Sequence, residues 1–212
     1  MTNTEIIDRI RQLKKEKNAV ILAHYYTRPE VVDSLGLSQE AGKTDARIIV
    51  FCGVHFMAET AAIISPDKKI LIPASGAGCS LAESITGYEL REWKKANPDG
   101  IIVSYVNTTA EVKAWTDICC TSANALKVVQ SIPPDHKILF VPDKNLGAWI
   151  RKVTGREMEL WHGDCCVHER ITTDMILEKS RDYPQADILI HPESHCSHDE
   201  AILNLPQAYM YS

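Results

Sequence analysis

The chain has 212 residues, 45% of them hydrophobic, which is ample for a sizeable core, and its net charge of −5 leaves no electrostatic footprint for a nucleic acid. No stretch approaches the roughly 18 apolar residues of a membrane-spanning helix, and the start lacks the apolar core of a signal peptide, so the expectation is a cytoplasmic globular protein with neither membrane nor nucleic-acid partners. Seven cysteines without an export signal argue for reduced thiols, some of them metal ligands, over a disulfide scaffold.

In chain order, "MTNTEIIDRIRQLKKEKNA" has the pattern of a charged amphipathic helix, with "RQLKKEK" as its solvated face. "AVILAHYYTRPE" from Ala19 reads as a strand ending in polar and aromatic groups. A helical segment ("SLGLSQEAGKT"), a buried strand ("ARIIVFCG") with Cys52 at its end, a helix ("VHFMAETAAII") and a strand ("KKILIPASGAGC") ending in Cys79 follow. Ser80 and Glu83 have the capping-box spacing of a helix start.

The order then recurs: a strand from Gly100 ("GIIVSYVNTTAE"), a helix ("TSANALKVVQSI"), a strand ("HKILFVPD"), a helix ("NLGAWIRKV") and a strand ("EMELWHGDCC") ending in Cys165 and Cys166. Thr121 or Ser122 would cap the first of these helices, whose amides could hold a phosphate or carboxylate, and structural roles are expected for Cys119 and Cys120. "ADILIHPESHCS" from Ala186 opens the pattern a third time.

The strand ends His24, Tyr105 and His191 are 81 and 86 residues apart (24 to 105 to 191), and Cys79 and Cys165 keep step at 86 (79 to 165). This predicts an α/β chain with a pseudo-threefold repeat of small three-layer units and parallel sheets: 1–82 with the N-terminal helix, 83–170, and an incomplete third unit, 171–212. Units packed about such an axis would bring their terminal cysteines together as a metal or iron-sulfur site. A further period would place a third cysteine at about residue 251, so the chain reads either as a fragment or as a shortened relative.

His24 and Tyr26, Tyr105 and Asn107, and His191 and Glu193 each alternate at a strand end, which would ring a pocket with donors suited to a carboxylate-rich small molecule. Neighbours on a strand point to opposite faces, so Cys165 and Cys166 read as one ligand and one packing residue. "HPESHCSHDE" offers His191, His195, Cys196 and His198, but their spacing matches no closed zinc pattern. Neither a complete dinucleotide glycine fingerprint nor a Walker lysine motif is present.

"ILAHYYTRPE", "DSLGLS", "GAGCSLAES", "SYVNTTAEVKA", "CCTSANA", "VPDKNLGAW", "WHGDCCVHER" and "HPESHCSHD" together resemble the quinolinate synthase family over essentially the whole chain. The resemblance implies three related α/β domains around a [4Fe-4S] cluster held by one cysteine from each. It implies condensation of iminoaspartate with dihydroxyacetone phosphate to quinolinate in NAD biosynthesis, with an open iron position acting as a Lewis acid.

Carried over by motif, Cys79 and Cys165 correspond to two cluster ligands, the third being absent from this chain. His24 and Tyr26 resemble a carboxylate-binding and proton-transfer pair, and Ser34, Tyr105, Asn107 and Ser122 resemble substrate contacts. His191 and Glu193 match the "HPE" motif, with Glu193 as general base, and Ser212 would begin a substrate-binding Ser-Thr pair. An L-aspartate oxidase or aspartate dehydrogenase supplying iminoaspartate is the implied protein partner. "RPEVVDSLGLS" is shorter than the family's usual link, and the missing remainder of the third unit leaves an alternative: a non-catalytic relative that binds a metal, a cluster or a partner subunit.

Overall fold

The computed structural model describes residues 2–23 and 42–211. Helix α1 (Asn3–Lys17) opens with a capping box: the Thr2 hydroxyl accepts the Glu5 amide at 3.3 Å and the Glu5 carboxylate accepts the Thr2 amide at 2.7 Å. Lys14, Lys15 and Lys17 sit at its electronegative end, and Asn18 in the left-handed region (φ 47°) terminates it.

Strands β1 (Ala19–Ala23), β2 (Ile48–Cys52) and β3 (Lys69–Leu71) form a parallel sheet in that order, with helix α2 (His55–Ile64) crossing between β2 and β3. A parallel sheet must bury its faces. Ala58 and Ala61 supply a short-chained helix surface that packs against Leu22, Ile49 and Phe51. The His55 amide donates to the Ala77 carbonyl at 2.7 Å, tying the glycine-rich loop before Cys79 to the start of α2.

The sequence predicts a helix starting at Ser80, but residues 80–83 form a turn. Leu81, Ala82 and Ile85 are anchored in the core at 1%, 1% and 2% exposure, and the Ser84 hydroxyl closes the turn on the Leu81 carbonyl at 2.8 Å. Helix α3 (Gly87–Ala96) begins later, on the capping box of Thr86 and Glu89.

Strand β4 (Ile101–Tyr105), short helix α4 (Ala110–Lys113), β5 (Ile118–Cys120), α5 (Ala125–Ser131), β6 (Ile138–Val141), α6 (Lys144–Thr154) and β7 (Glu159–Leu160) make a parallel sheet ordered β5-β4-β6-β7. The connection leaving β4 runs to one side, to β5, and the connection leaving β6 runs to the other, to β7. The crevice beyond the carboxyl ends of β4 and β6 is therefore a topological switch point, where open α/β sheets bind their ligands. Tyr105 ends β4, and Asp143 follows β6 as the cap of α6, its carboxylate accepting the Leu146 amide at 2.8 Å.

Helix α7 (Thr173–Asp182), β8 (Ile188–Ile190), α8 (Glu200–Leu203) and β9 (Ala208–Met210) complete the order; β8 and β9 pair in parallel. Ile190, Cys196 and Ile202 form their core with Ile171, Ile176 and Met210. The protein is thus an α/β chain that shows, among the described residues, three parallel sheets of three, four and two strands, the third the smallest. By contact density it forms two compact units, Met1–Cys79 and Ser80–Ser212.

Three expected details differ. Cys79 and Cys165 do not end strands: β3 stops at Leu71 and β7 at Leu160, and both cysteines lie on the loops beyond. Strand alternation therefore does not apply to Cys165 and Cys166. Cys166 is exposed and does not pack, while Cys165 is partly buried. Neither Thr121 nor Ser122 caps α5, because its cap is Asn124, whose side-chain carbonyl accepts the Thr121 amide at 2.7 Å. Cys119 and Cys120 lie on β5, the first exposed and the second buried.

Candidate active site and metal-binding group

The carboxyl ends of β4 and β6 and the loop after β8 converge on Glu193, which is 2% exposed. His168 Nδ1 lies 2.8 Å from Glu193 Oε2, and its ring stacks on His191 with centroids 4.8 Å apart. The His191 ring nitrogen is 4.0 Å from the same carboxylate oxygen and 3.3 Å from the Glu193 amide, which donates to it. The Tyr105 hydroxyl donates to the Glu193 carboxylate and accepts from Ser122. Three residues expected from the strand-end pattern, Tyr105, His191 and Glu193, thus meet, with Ser122 on Tyr105.

The electrostatics follow from burial and from these bonds. Burial opposes ionisation of Glu193, but the His168 imidazole at 2.8 Å and the Tyr105 hydroxyl outweigh it and hold the carboxyl below its usual range. His168 is raised to about 10 by the Cys165 thiol and the Glu193 carboxylate beside it, against the cost of burial. Burial also opposes ionisation of Cys165, yet the His168 side chain and the His168 and Val167 amides bring this thiol below its ordinary value. Burial pushes His191 down, which favours the neutral imidazole, and pushes Tyr105 up, which keeps its hydroxyl protonated.

Asp143 is fully buried and is raised to about 7 by desolvation, with the Leu146 amide resisting and Glu193 adding to the rise. One of its carboxylate oxygens, Glu193 Oε1 and His168 Nδ1 have no partner in hydrogen-bond geometry, so the 2.8 Å contact of His168 with Glu193 is a close ion pair. Paired buried acids at a strand-end crevice are groups suited to moving protons on a bound ligand.

Cys165, His168 and Glu193 also form a group of metal donors, one atom from each lying within 4.8 Å of the others. Among the described residues no such group includes His195, Cys196 or His198. Cys196 is wholly buried in the core under β8, and His195 Nδ1 contacts Glu169 Oε1 at 3.2 Å. Asn107 is partly buried in the turn after β4. His24, Tyr26, Ser34 and Ser212 lie outside the described residues.

Residues 8–207 match the family model described as quinolinate synthetase A protein. Over 207 residues the chain is 53% identical to a quinolinate synthase of Pyrobaculum aerophilum, covering 94% of this chain and 67% of that protein. The chain belongs to the quinolinate synthetase A family. A quinolinate synthase of Synechocystis is 54% identical over 196 residues, 89% of this chain and 62% of its own length, and one from a Mycobacterium species is 53% identical, with 58% of its length covered. The chain therefore spans about two thirds or less of the length of these family members.

Three residues of the site escaped sequence reasoning. His168 follows Cys165 by three residues on a turn, a C-x-x-H spacing that was the available signal. Asp143 reads as an ordinary helix cap. Glu169 joins the pieces: it accepts from Lys144 Nζ at 3.1 Å, Asn145 Nδ2 at 2.8 Å and His195 Nδ1 at 3.2 Å, while Asn145 also donates to the Glu193 carbonyl at 3.2 Å. Such long-range bonding has no local sequence signature.

Proposed function

We propose that this chain carries quinolinate synthase chemistry, the condensation of iminoaspartate with dihydroxyacetone phosphate and closure of the pyridine ring, in a cytoplasmic setting consistent with seven free thiols. The observation that carries this reading is the buried Glu193 held between His168, His191 and Tyr105, within a chain that matches the family from residue 8 to residue 207.

The donor chemistry fits the family's [4Fe-4S] cluster: Cys165 is a partly buried thiol drawn toward the thiolate by a cationic imidazole and two amides. Cys79 and Cys165 would supply two of its thiolates. When bound, the cluster supplies a Lewis-acidic iron toward a substrate oxygen or nitrogen.

Glu193, ionised yet desolvated, is placed to take a proton from a carbon beside a carbonyl or imine. Tyr105, kept protonated, donates toward developing negative charge and can return a proton. Neutral His191 hydrogen-bonds a substrate carboxylate or hydroxyl, and Ser122 and Asn107 add polar contacts near the end of β4. His24, Tyr26, Ser34 and Ser212 complete the substrate-binding set in this proposal, as the motifs imply. Upstream, an aspartate-oxidising enzyme would supply the iminoaspartate.

The test is anaerobic reconstitution with iron and sulfide, followed by an assay for quinolinate with enzymatically generated iminoaspartate. Product that disappears in Glu193→Gln and in Cys165→Ala supports the proposal. Bound iron and sulfide without product would instead favour a binding role, and neither would end the reading for this chain.

A further inference from the structure

Cys165, His168 and Glu193 present one thiolate, one imidazole and one carboxylate within 4.8 Å of one another. A single tetrahedral zinc ion, bound at about 2.0 to 2.3 Å, holds such donors about 3.4 to 3.8 Å apart, so the widest pair must approach by about an ångström. His168 Nδ1 and Glu193 Oε2, 2.8 Å apart, must instead separate by about half an ångström, with the ion displacing the imidazolium proton.

Outer contacts support the same three donors. The Val167 and His168 amides bond the Cys165 sulfur, the Tyr105 hydroxyl donates to the Glu193 carboxylate, and the Glu169 amide donates to the Cys165 carbonyl at 2.8 Å, closing the turn that carries both Cys165 and His168. Two anionic donors neutralise a divalent cation. The mixture of sulfur, nitrogen and oxygen selects zinc, cobalt or ferrous ions over magnesium or calcium. Three protein ligands leave a fourth position for water.

We propose that Cys165, His168 and Glu193 bind one zinc-class divalent ion, in a mononuclear site distinct from any iron-sulfur cluster and exclusive with it, because Cys165 serves only one of the two at a time. The site draws no ligand from Cys79. It provides a state in which the thiol is protected and cluster assembly is blocked until the ion is withdrawn.

Anaerobic titration of the reduced chain with cobalt(II) tests this. The expected result is one equivalent bound, with a thiolate-to-cobalt charge-transfer band in the near ultraviolet and tetrahedral bands in the visible. Cys79→Ser retains both bands, whereas Cys165→Ser abolishes the first and His168→Gln and Glu193→Gln each weaken binding at least about tenfold. A second measurement uses only the unaltered chain: zinc should slow alkylation of Cys165, mapped by mass spectrometry, and EDTA should restore it. Cobalt bands that survive Cys165→Ser, or alkylation of Cys165 unaffected by zinc, overturn the proposal. Failure of iron and sulfide reconstitution with the cobalt bands intact would count against the cluster reading and leave the mononuclear site standing.

Discussion

His168 Nδ1 stands 2.8 Å from Glu193 Oε2, and the Glu193 side chain is 3% exposed. Removing the imidazole leaves a carboxylate desolvated, with the Tyr105 hydroxyl as its remaining strong donor. His168→Ala is therefore expected to lower unfolding free energy by about 3 kcal/mol in urea titrations at neutral pH, the usual cost of breaking a buried pair from one side. Replacing both partners, as in His168→Gln with Glu193→Gln, should cost less than the single alanine change. A single-mutant loss below about 1 kcal/mol would show that solvent reaches Glu193 after all.

Asp143 gives the protein a pH-dependent penalty of known sign. Its folded value of about 7 lies above the ordinary 3.8, so the neutral acid is favoured on folding. Below about 3.8 the group costs nothing; between there and about 7 the cost grows, reaching roughly 4 kcal/mol at full ionisation from a rise of about three units. The groups facing it are Glu193, His168 and Tyr105. Glu193 acts oppositely, being held below its usual range, so its contribution is present above about 4.5 and is lost on acidification. Asp143→Asn keeps an acceptor for the Leu146 amide and removes the charge. It is expected to gain stability over the parent at about pH 8 and to match it at about pH 4, read by thermal denaturation across pH. Equal gains at both values would mean that ionisation of Asp143 is not the cause.

Much of this arrangement was legible in the sequence, and the reason is periodicity. The apolar runs at Ala19 and Ile101 are strands because a covered parallel sheet needs uninterrupted aliphatic residues, the run at Ile188 repeats the pattern although Leu189 stays exposed, and Tyr105, His191 and Glu193 follow from where those runs stop. Helix starts were less legible: Ser80 and Glu83 have the capping spacing, but core burial of Leu81, Ala82 and Ile85 holds them as a turn. His168, Asp143 and Glu169 acquire their roles from partners 25, 50 and 24 residues away, Glu193 for the first two (168 to 193, 143 to 193) and Asn145 for the third (145 to 169). Local pattern does not encode such distances.

Glu169 is where three site segments meet. Its carboxylate bonds Lys144, Asn145 and His195, and Asn145 in turn fixes the Glu193 carbonyl. Lys144 keeps a second partner, Asp164 at 2.8 Å, so loss of Glu169 strands Asn145 most. Glu169→Ala should cost about 2 kcal/mol, the range for a hydrogen bond to a charged acceptor. It should also speed alkylation of Cys165, because the turn carrying that thiol loses its anchor to α6. Faster unfolding with an unchanged alkylation rate in the native protein would place the effect in the helix start alone.

Gly163, two residues before Cys165, lies against the backbone of Pro142. It pairs with Asp143 across an isolated parallel bridge, and its carbonyl accepts the Lys144 amide at 2.8 Å. A Cβ there would lie 2.6 Å from the Pro142 carbonyl oxygen and would also meet the Ser84 hydroxyl. The hydroxyl can rotate away, but the carbonyl belongs to the backbone that delivers Asp143, and Trp161 pins the Ser84 side by donating from Nε1 to its carbonyl at 2.9 Å. The strain must therefore be relieved by moving the loop that carries Cys165. Gly163→Ala is expected to lower stability by about 1 to 3 kcal/mol, as overpacking does. It should also weaken cobalt(II) binding at Cys165, whereas Gly76→Ala, where a Cβ meets nothing within 4 Å, should change neither quantity. Unaltered stability and metal binding in Gly163→Ala would mean that the loop yields freely and does not hold Cys165 in place.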